Sequence, residues 1–150
     1  MIFSNYDRNK GFTVLTVLHI ASFFIQAGFL LAIYLIVPKK ELYSIQDVQT
    51  QMYLQYFVIL MSIALLPLIE YFLKGRLKKA LKIENENERL DYFIIGIIAR
   101  LGIIEFVNIV SMVAYFLTGH VSFLYISVIL TLFFLIHRPV KDKILNDLNL

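Results

Sequence analysis

The 150-residue chain has no cysteine, no tryptophan, three prolines and six glycines, and only 17% of its residues are charged. The absence of cysteine excludes disulfides, thiolate metal ligands and thiol redox chemistry. The absence of tryptophan leaves the nine tyrosines as the aromatic anchors for a membrane interface. Charge is missing over whole stretches. Residues 11–38, 48–69 and 115–137 contain no Asp, Glu, Lys or Arg, and 92–117 contains only Arg100 and Glu105. A soluble bundle of this length must show water a polar face on each helix, and no such face runs the length of these segments.

What the chain does have is apolar length. Hydrophobic residues make up 59% of it, and its mean hydropathy is +0.75. About 20 consecutive apolar helical residues cross a bilayer. The pattern therefore predicts an all-α polytopic membrane protein with four transmembrane helices in an antiparallel bundle. The spans fall at about 12–37, 48–73, 92–117 and 119–136 in one membrane domain. A short interfacial tail helix is expected at about 139–148, with Val140, Ile144 and Leu148 along one side. The first apolar run, about 27 residues, exceeds the 7–15 of a signal peptide and reads as a retained span.

Basic residues outside the spans divide eleven to two. Arg8, Lys10, Lys74, Arg76, Lys78, Lys79, Lys82, Arg89, Arg138, Lys141 and Lys143 fall on one side, Lys39 and Lys40 on the other. The positive-inside rule then puts both termini and the 74–90 loop of this multi-pass chain in the cytoplasm. The net charge of +3 follows from this bias and from contact with anionic lipid, so no nucleic-acid partner is required. Lys74, Arg76, Lys78, Lys79, Lys82 and Arg138 form the expected surface for lipid headgroups or a partner.

Local signals punctuate the spans. Pro38 ends the first helix. Ser44-Ile-Gln-Asp47 has the form of a capping box that would start the second helix near Ile45. The Glu84–Glu88 cluster supplies a hairpin turn centred on Asn85. Gly119 closes the third helix, and Pro139 suits the first turn of the tail.

No nucleophile–base arrangement, phosphate-cradling glycine loop or metal spacing is present, so no catalytic residue, metal or cofactor is assigned. The three histidines fall on different elements. The intramembrane polar groups are more telling. A charge at mid-membrane costs about 2.5–3.5 kcal/mol on an insertion scale and usually faces the bundle interior. At 100° per residue, Arg100, Glu105, Asn108, Ser111, Tyr115 and Thr118 share an arc of about 140°, and Gln51, Gln55, Ser62 and Glu70 one of about 100°. Thr16, His19, Ser22 and Gln26 share about 120°, with Ala21, Gly28 and Ala32 opposite as a face suited to close helix contact.

The first three helices are therefore expected to surround a polar seam of Glu70, Arg100, Glu105, Asn108, His19, Gln26, Gln55 and Ser62. The fourth helix, without a polar focus, is expected to be the most lipid-exposed. Glu70 and Arg100 stand level about Asn85 and are expected to pair across the hairpin. Glu105, at mid-span, is expected as a neutral acid bonded to Gln55, Ser62 or Gln26. Pro67 frees the carbonyl of Ile63 to kink the helix or to line a site.

Arg100-x-x-x-x-Glu105, Phe116-Leu-Thr-Gly119 and Arg138-Pro139-x-Lys141-x-Lys143-x-x-x-Asp147-Leu148 resemble a group of small four-span proteins common in Bacteroidota. The match covers roughly the carboxy-terminal third. It implies an inner-membrane location and no established activity. In size and span number the chain is also similar to the trimeric membrane enzymes of eicosanoid and glutathione metabolism, which carry Arg, Asn and Glu on the second span rather than the third. The hairpin from Val48 to Thr118 is similar to rotor subunits of ATP synthases but lacks their glycine-rich first helix. The leading expectation is a non-catalytic integral membrane protein, a scaffold or subunit of a membrane complex or homo-oligomer. The alternatives are a small proton- or ion-coupled transporter using Glu105 and a small membrane-embedded enzyme.

Overall fold

The computed structural model describes residues 8–37 and 47–150, with side chains from residue 11 onward in the first segment. All regular structure among the described residues is helical: α1 Arg8–Ile36, α2 Val48–Ala80, α3 Glu86–Thr118, α4 Val121–Ile136 and α5 Lys141–Asp147. α1 from Gly11, α2 and α3 are long and apolar enough to cross a membrane. α4 and α5, bent by 70° to each other, meet the same test only when the pair is counted as one broken span, so the candidate spans number three, or four with that pair. Lys39, Lys40 and the Ser44–Gln46 part of the expected capping box lie outside the described residues.

Each element starts and stops for a local reason. α2 begins at Val48, three residues later than the box implied, because Asp47 is its cap: the carboxylate accepts from the Thr50 backbone N–H at 2.7 Å and from its hydroxyl at 2.6 Å. Those two bonds stabilise the ionised form and hold the Asp47 carboxyl below its ordinary value. Asn85 caps α3, accepting from Asn87 N–H at 3.0 Å and Glu88 N–H at 3.3 Å, and Glu86 and Glu88 complement the helix dipole in the first turn. Gly119, at φ 68°, takes the left-handed position that ends α3, and its N–H donates to the Tyr115 carbonyl. α2 continues as a helix through Pro67, and the residue whose carbonyl it frees, Ile63, is 66% exposed.

α3 is the centre of the molecule. Glu70 meets Arg100, Arg76 meets Tyr92 and Leu73 stands against Gly96, so α3 retraces α2. Arg100 meets His137, Asn108 meets Thr131 and Ser111 meets Phe123, so α4 retraces α3. α1 lies across both, with Gln26 on Asn108 and His19 on Phe134. In the most apolar window of α3, 44% of the residues are buried, against 17% in α1 and in α2.

This corrects the expected order. α4 is not the most lipid-exposed helix, since Phe123, Ser127, Leu130, Thr131 and Phe134 are all buried against its neighbours. α1 and α2 are the peripheral helices. The small-residue face of α1 is also displaced: Ala21, Gly28 and Ala32 are exposed, and a Cβ on Gly28 would meet no atom within 4 Å.

Two apolar clusters hold the ends. One gathers Phe12 and Leu15 with Leu73, Ala80, Leu90, Phe93 and Phe134, and the tail adds Ile144 and Leu148. The other joins Ile33, Val37, Val58, Met112 and Phe123. Within a bilayer such clusters cohere by close van der Waals packing, because lipid is as apolar as the side chains. The tail helix packs its apolar side on the bundle. Leu148 is 0% and Ile144 5% exposed, and Arg89 pins the last turn by donating to the Leu148 carbonyl at 3.1 Å and to the Ile83 carbonyl at 2.9 Å.

Candidate functional site

Two polar clusters on α3, one on each side of the apolar Leu101 and Ile104, carry the chemistry available to this chain. The first joins three helices through Arg100. One terminal nitrogen of its guanidinium donates to Glu70 Oε1 on α2 at 3.4 Å, and the other donates to the His137 carbonyl at 3.2 Å. His137 is the cap at the end of α4, where helix carbonyls lack intrahelical partners and carry the negative end of the dipole. A guanidinium there satisfies an orphan acceptor and meets a carboxylate with the same planar group.

The His137 ring completes the cluster. Its Nδ1 is 2.9 Å from the Phe133 carbonyl, its ring centroid lies 3.9 Å from that of Phe133, and its Nε2 is 3.8 Å from Glu70 Oε1. A carbonyl oxygen can only accept, so the proton of neutral His137 resides on Nδ1. A cavity of about 400 Å³ opens beside the three side chains, with Lys74, Arg138 and Lys143 around it. The Arg100 side chain is 13% exposed and that of Glu70 35%, so the arginine is the buried member of the pair.

The second cluster is neutral. Asn108, fully buried, donates from Nδ2 to Gln26 Oε1 on α1 at 2.8 Å and to Thr131 Oγ1 on α4 at 2.9 Å. Ser111, one turn on, donates to the Phe123 carbonyl of α4 at 2.9 Å. Gln26 Nε2, Asn108 Oδ1 and Ser127 Oγ are buried without a partner among the described residues. His19, 3% exposed, stacks on Phe134 at 4.5 Å and 19°.

The expected seam is therefore split and partly reassigned. Glu70 and Arg100 come together as the hairpin arithmetic required, and Gln26 joins Asn108. Gln55 bonds none of the described residues, and Ser62 donates to the Val58 carbonyl of its own helix at 2.8 Å, so of the three α2 residues expected in the seam it is Glu70 that reaches another helix. Glu105 does not enter the seam. It is half-buried beside exposed Phe106 and Gly102, and it has no hydrogen bond or ion pair among the described residues. Its expected partners are engaged elsewhere or lie on α2 out of reach of a bond.

Of the six residues expected on the headgroup surface, Lys74, Lys78, Lys79, Lys82 and Arg138 are exposed. Arg76 is not an outward cation. Its guanidinium lies 3.9 Å over the Tyr92 ring, and it donates from Nε, at 3.1 Å, and from a terminal nitrogen to the Tyr92 carbonyl. Gly96 makes room for this: a Cβ there would come within 2.8 Å of Arg76 Cδ and 3.1 Å of Leu73 Cδ1.

Sequence reasoning missed Thr131, Ser127, the His137 carbonyl and the Arg76–Tyr92 contact. Ser127 and Thr131, four residues apart between buried Phe123 and Phe134, carried the available signal for α4. Among the described residues no group of three His, Cys, Asp or Glu side chains is placed to hold a metal ion. No protein-family model, curated protein or solved structure matches the chain.

Proposed function

We propose that the chain is a four-span protein of the bacterial inner membrane, an antiparallel bundle with both termini and the 74–90 hairpin in the cytoplasm, serving as a non-catalytic scaffold or subunit of a membrane complex. The observation that carries this reading is that the polar groups of the interior bind one another across helices. Arg100 joins α2, α3 and α4, and Asn108 joins α1, α3 and α4. Groups used as cross-links serve architecture. The lengths fit a hairpin whose connected end stands clear of the hydrocarbon: α2 and α3 have 33 residues each, about 50 Å at 1.5 Å per residue, against a hydrocarbon core of about 30 Å. The excess falls at the basic hairpin end, where the tail helix docks.

Because the sequence contains no cysteine, single substitutions report topology without background. In intact cells an impermeant maleimide should label His120→Cys and leave Asn85→Cys untouched until the membrane is permeabilised. Labelling of Asn85→Cys in intact cells overturns the orientation. Gentle detergent should release the protein as a species larger than its 17.5 kDa chain in a micelle, and a lone chain would contradict the subunit reading.

A proton- or ion-coupled carrier is the second reading, and one observation favours it: Glu105 is a mid-span carboxyl without a partner among the described residues. Such a group is what a proton-binding step uses. Infrared difference spectra of wild type against Glu105→Gln separate the two. A protonated-carboxyl band that appears and disappears with pH supports the carrier, and a pH-invariant difference supports the structural role.

A further inference from the structure

Beside the hairpin, on the outer side of the α2–α3 seam, lies a groove of about 920 Å³. That is at the upper end of the roughly 300–1,000 Å³ of small-ligand sites. Its walls are apolar, with Leu65, Leu68 and Phe72 from α2 and Ala99 and Ile103 from α3. Its mouth is basic, with Arg76, Lys78 and Lys79 at the end where α2 leaves the apolar stretch. We propose that this groove binds one anionic phospholipid, with an acyl chain along the apolar walls and the phosphate at the basic mouth.

Three features of the groove point to that occupant. The first is an uncompensated cation. Arg76 is held by one neutral acceptor, the Tyr92 carbonyl, and an aromatic face, and it makes no ion pair among the described residues. Arg100, by contrast, has Glu70. A guanidinium fixed in a half-buried position without an anion is ready for one, and two bonds to the Tyr92 carbonyl leave its third nitrogen available for a phosphate oxygen. The second is room. Gly75 lines the groove, and a Cβ there would meet nothing within 4 Å, so the lining is open where any other residue would stand. The third is the order of the chemistry along the helix. Apolar residues come first and ammonium groups follow one turn later, which is the sequence of chain and headgroup in a lipid leaflet. The inference rests on the chain's being embedded in a bilayer and not on which side the hairpin faces.

The test is native mass spectrometry of the purified, detergent-solubilised protein, titrated with phosphatidylglycerol and with phosphatidylcholine of the same acyl chains. Wild type should retain one phosphatidylglycerol with a preference of about tenfold, the worth of one to two well-placed basic residues. Gly75→Leu fills the groove without changing the charge, and Leu is a better helix former than Gly, so the protein should fold. Its retention of phosphatidylglycerol should fall by about fivefold or more as the space is filled. Lys78→Gln with Lys79→Gln should cut the preference to about threefold, the part that Arg76 holds, whereas Lys141→Gln with Lys143→Gln, the same loss of charge on α5, should leave it unchanged.

Equal retention of the two lipids overturns the proposal, as does a helical Gly75→Leu protein that binds like wild type. Displacement of phosphatidylglycerol by an equal concentration of inorganic phosphate would make this a phosphate site and not a lipid site. A mass doubling in place of lipid adducts would assign the groove to a second copy of the chain.

Discussion

Arg100 and Asn108 sit about two turns apart on α3, and they solve the burial of polarity in different ways. Arg100 pairs a charge with a charge and keeps its partner half in water: Glu70 retains 35% of its side-chain surface. Asn108 has no exposure, and its partners Gln26 and Thr131 have 3% and 6%. The ionic cluster stands where α4 ends and the polar tail begins, and the neutral one stands between the two apolar clusters. Desolvating an ion costs far more than desolvating an amide. A charge is therefore tolerable near the end of a span, and only a neutral amide is tolerable at its core. The difference also divides labour. Arg100 binds α2 to α3 and to the end of α4, whereas Asn108 binds α1, which otherwise has few buried residues.

The largest expected effect comes from breaking the ionic cluster from its exposed side. Glu70→Leu leaves the 13%-exposed Arg100 without a counterion. We expect a loss of about 2–4 kcal/mol, because orphaning a buried charge costs about 3–5 and Glu70 is partly solvated. Arg100→Leu should cost less, since the remaining Glu70 can turn to water. Reversal of both charges should restore only part of the loss, because a carboxylate at position 100 faces the His137 carbonyl that Arg100 satisfies. Unfolding in mixed micelles measures all of these, and a larger loss for Arg100→Leu than for Glu70→Leu would break the comparison.

The neutral cluster should yield a smaller number. Asn108→Leu leaves the Gln26 and Thr131 oxygens unpartnered and should cost about 1–3 kcal/mol. Replacing all three by Leu, Leu and Val should be close to neutral, since no buried group is then orphaned. A triple variant less stable than Asn108→Leu would show that the amide cluster contributes more than mutual satisfaction. Gly96→Leu should cost about 1–3 kcal/mol by overpacking, as it displaces Arg76 from Tyr92 and crowds Leu73. Survival of the hairpin can be followed by the protection of backbone amides near Tyr92.

Glu105 sharpens the contrast from outside. A partnered Glu105 would make Glu105→Leu destabilising. With no partner among the described residues, Glu105→Leu should leave the bundle's unfolding midpoint unchanged or higher, in the same micelle assay.

The smallest effect is at Asp47. Its folded-state pKa is depressed by the Thr50 bonds. The cap's contribution is therefore complete above the unfolded value of about 3.8 and is lost as pH falls through the lower folded value. Faster hydrogen exchange at the Thr50 amide in that acid window, absent in Asp47→Asn, checks it.

How much of this was legible in the sequence follows from what helical periodicity can and cannot say. Apolar runs gave the helices, Asn85 and Gly119 gave the turns, and equal spacing from Asn85 gave the level of Glu70 with Arg100. Periodicity assigns residues to a face, however, and does not say which neighbour that face meets. The polar arc of α3 was real for Asn108, Ser111, Tyr115 and Thr118, which are buried. Glu105 lay at the edge of that arc, about 60° beyond Asn108 at 100° per residue, and the edge turned out to be the outside. The helix opposite the arc was α4, whose Ser127 and Thr131 are outnumbered by apolar residues and left no visible focus. Arg76 looked like one more interfacial cation because the space that Gly96 provides for it exists only once α2 and α3 have paired.

Interior polar groups work as links between helices, and Glu70 with Arg100 is the pair in which that role is open to measurement. A double-mutant cycle with Glu70→Leu, Arg100→Leu and the double variant, read as unfolding free energy in one micelle system, isolates their coupling. Strong non-additivity is expected, with a coupling of about 1 kcal/mol or more and a double variant more stable than Glu70→Leu alone. Additive losses, with the double variant the least stable of the three, would contradict it.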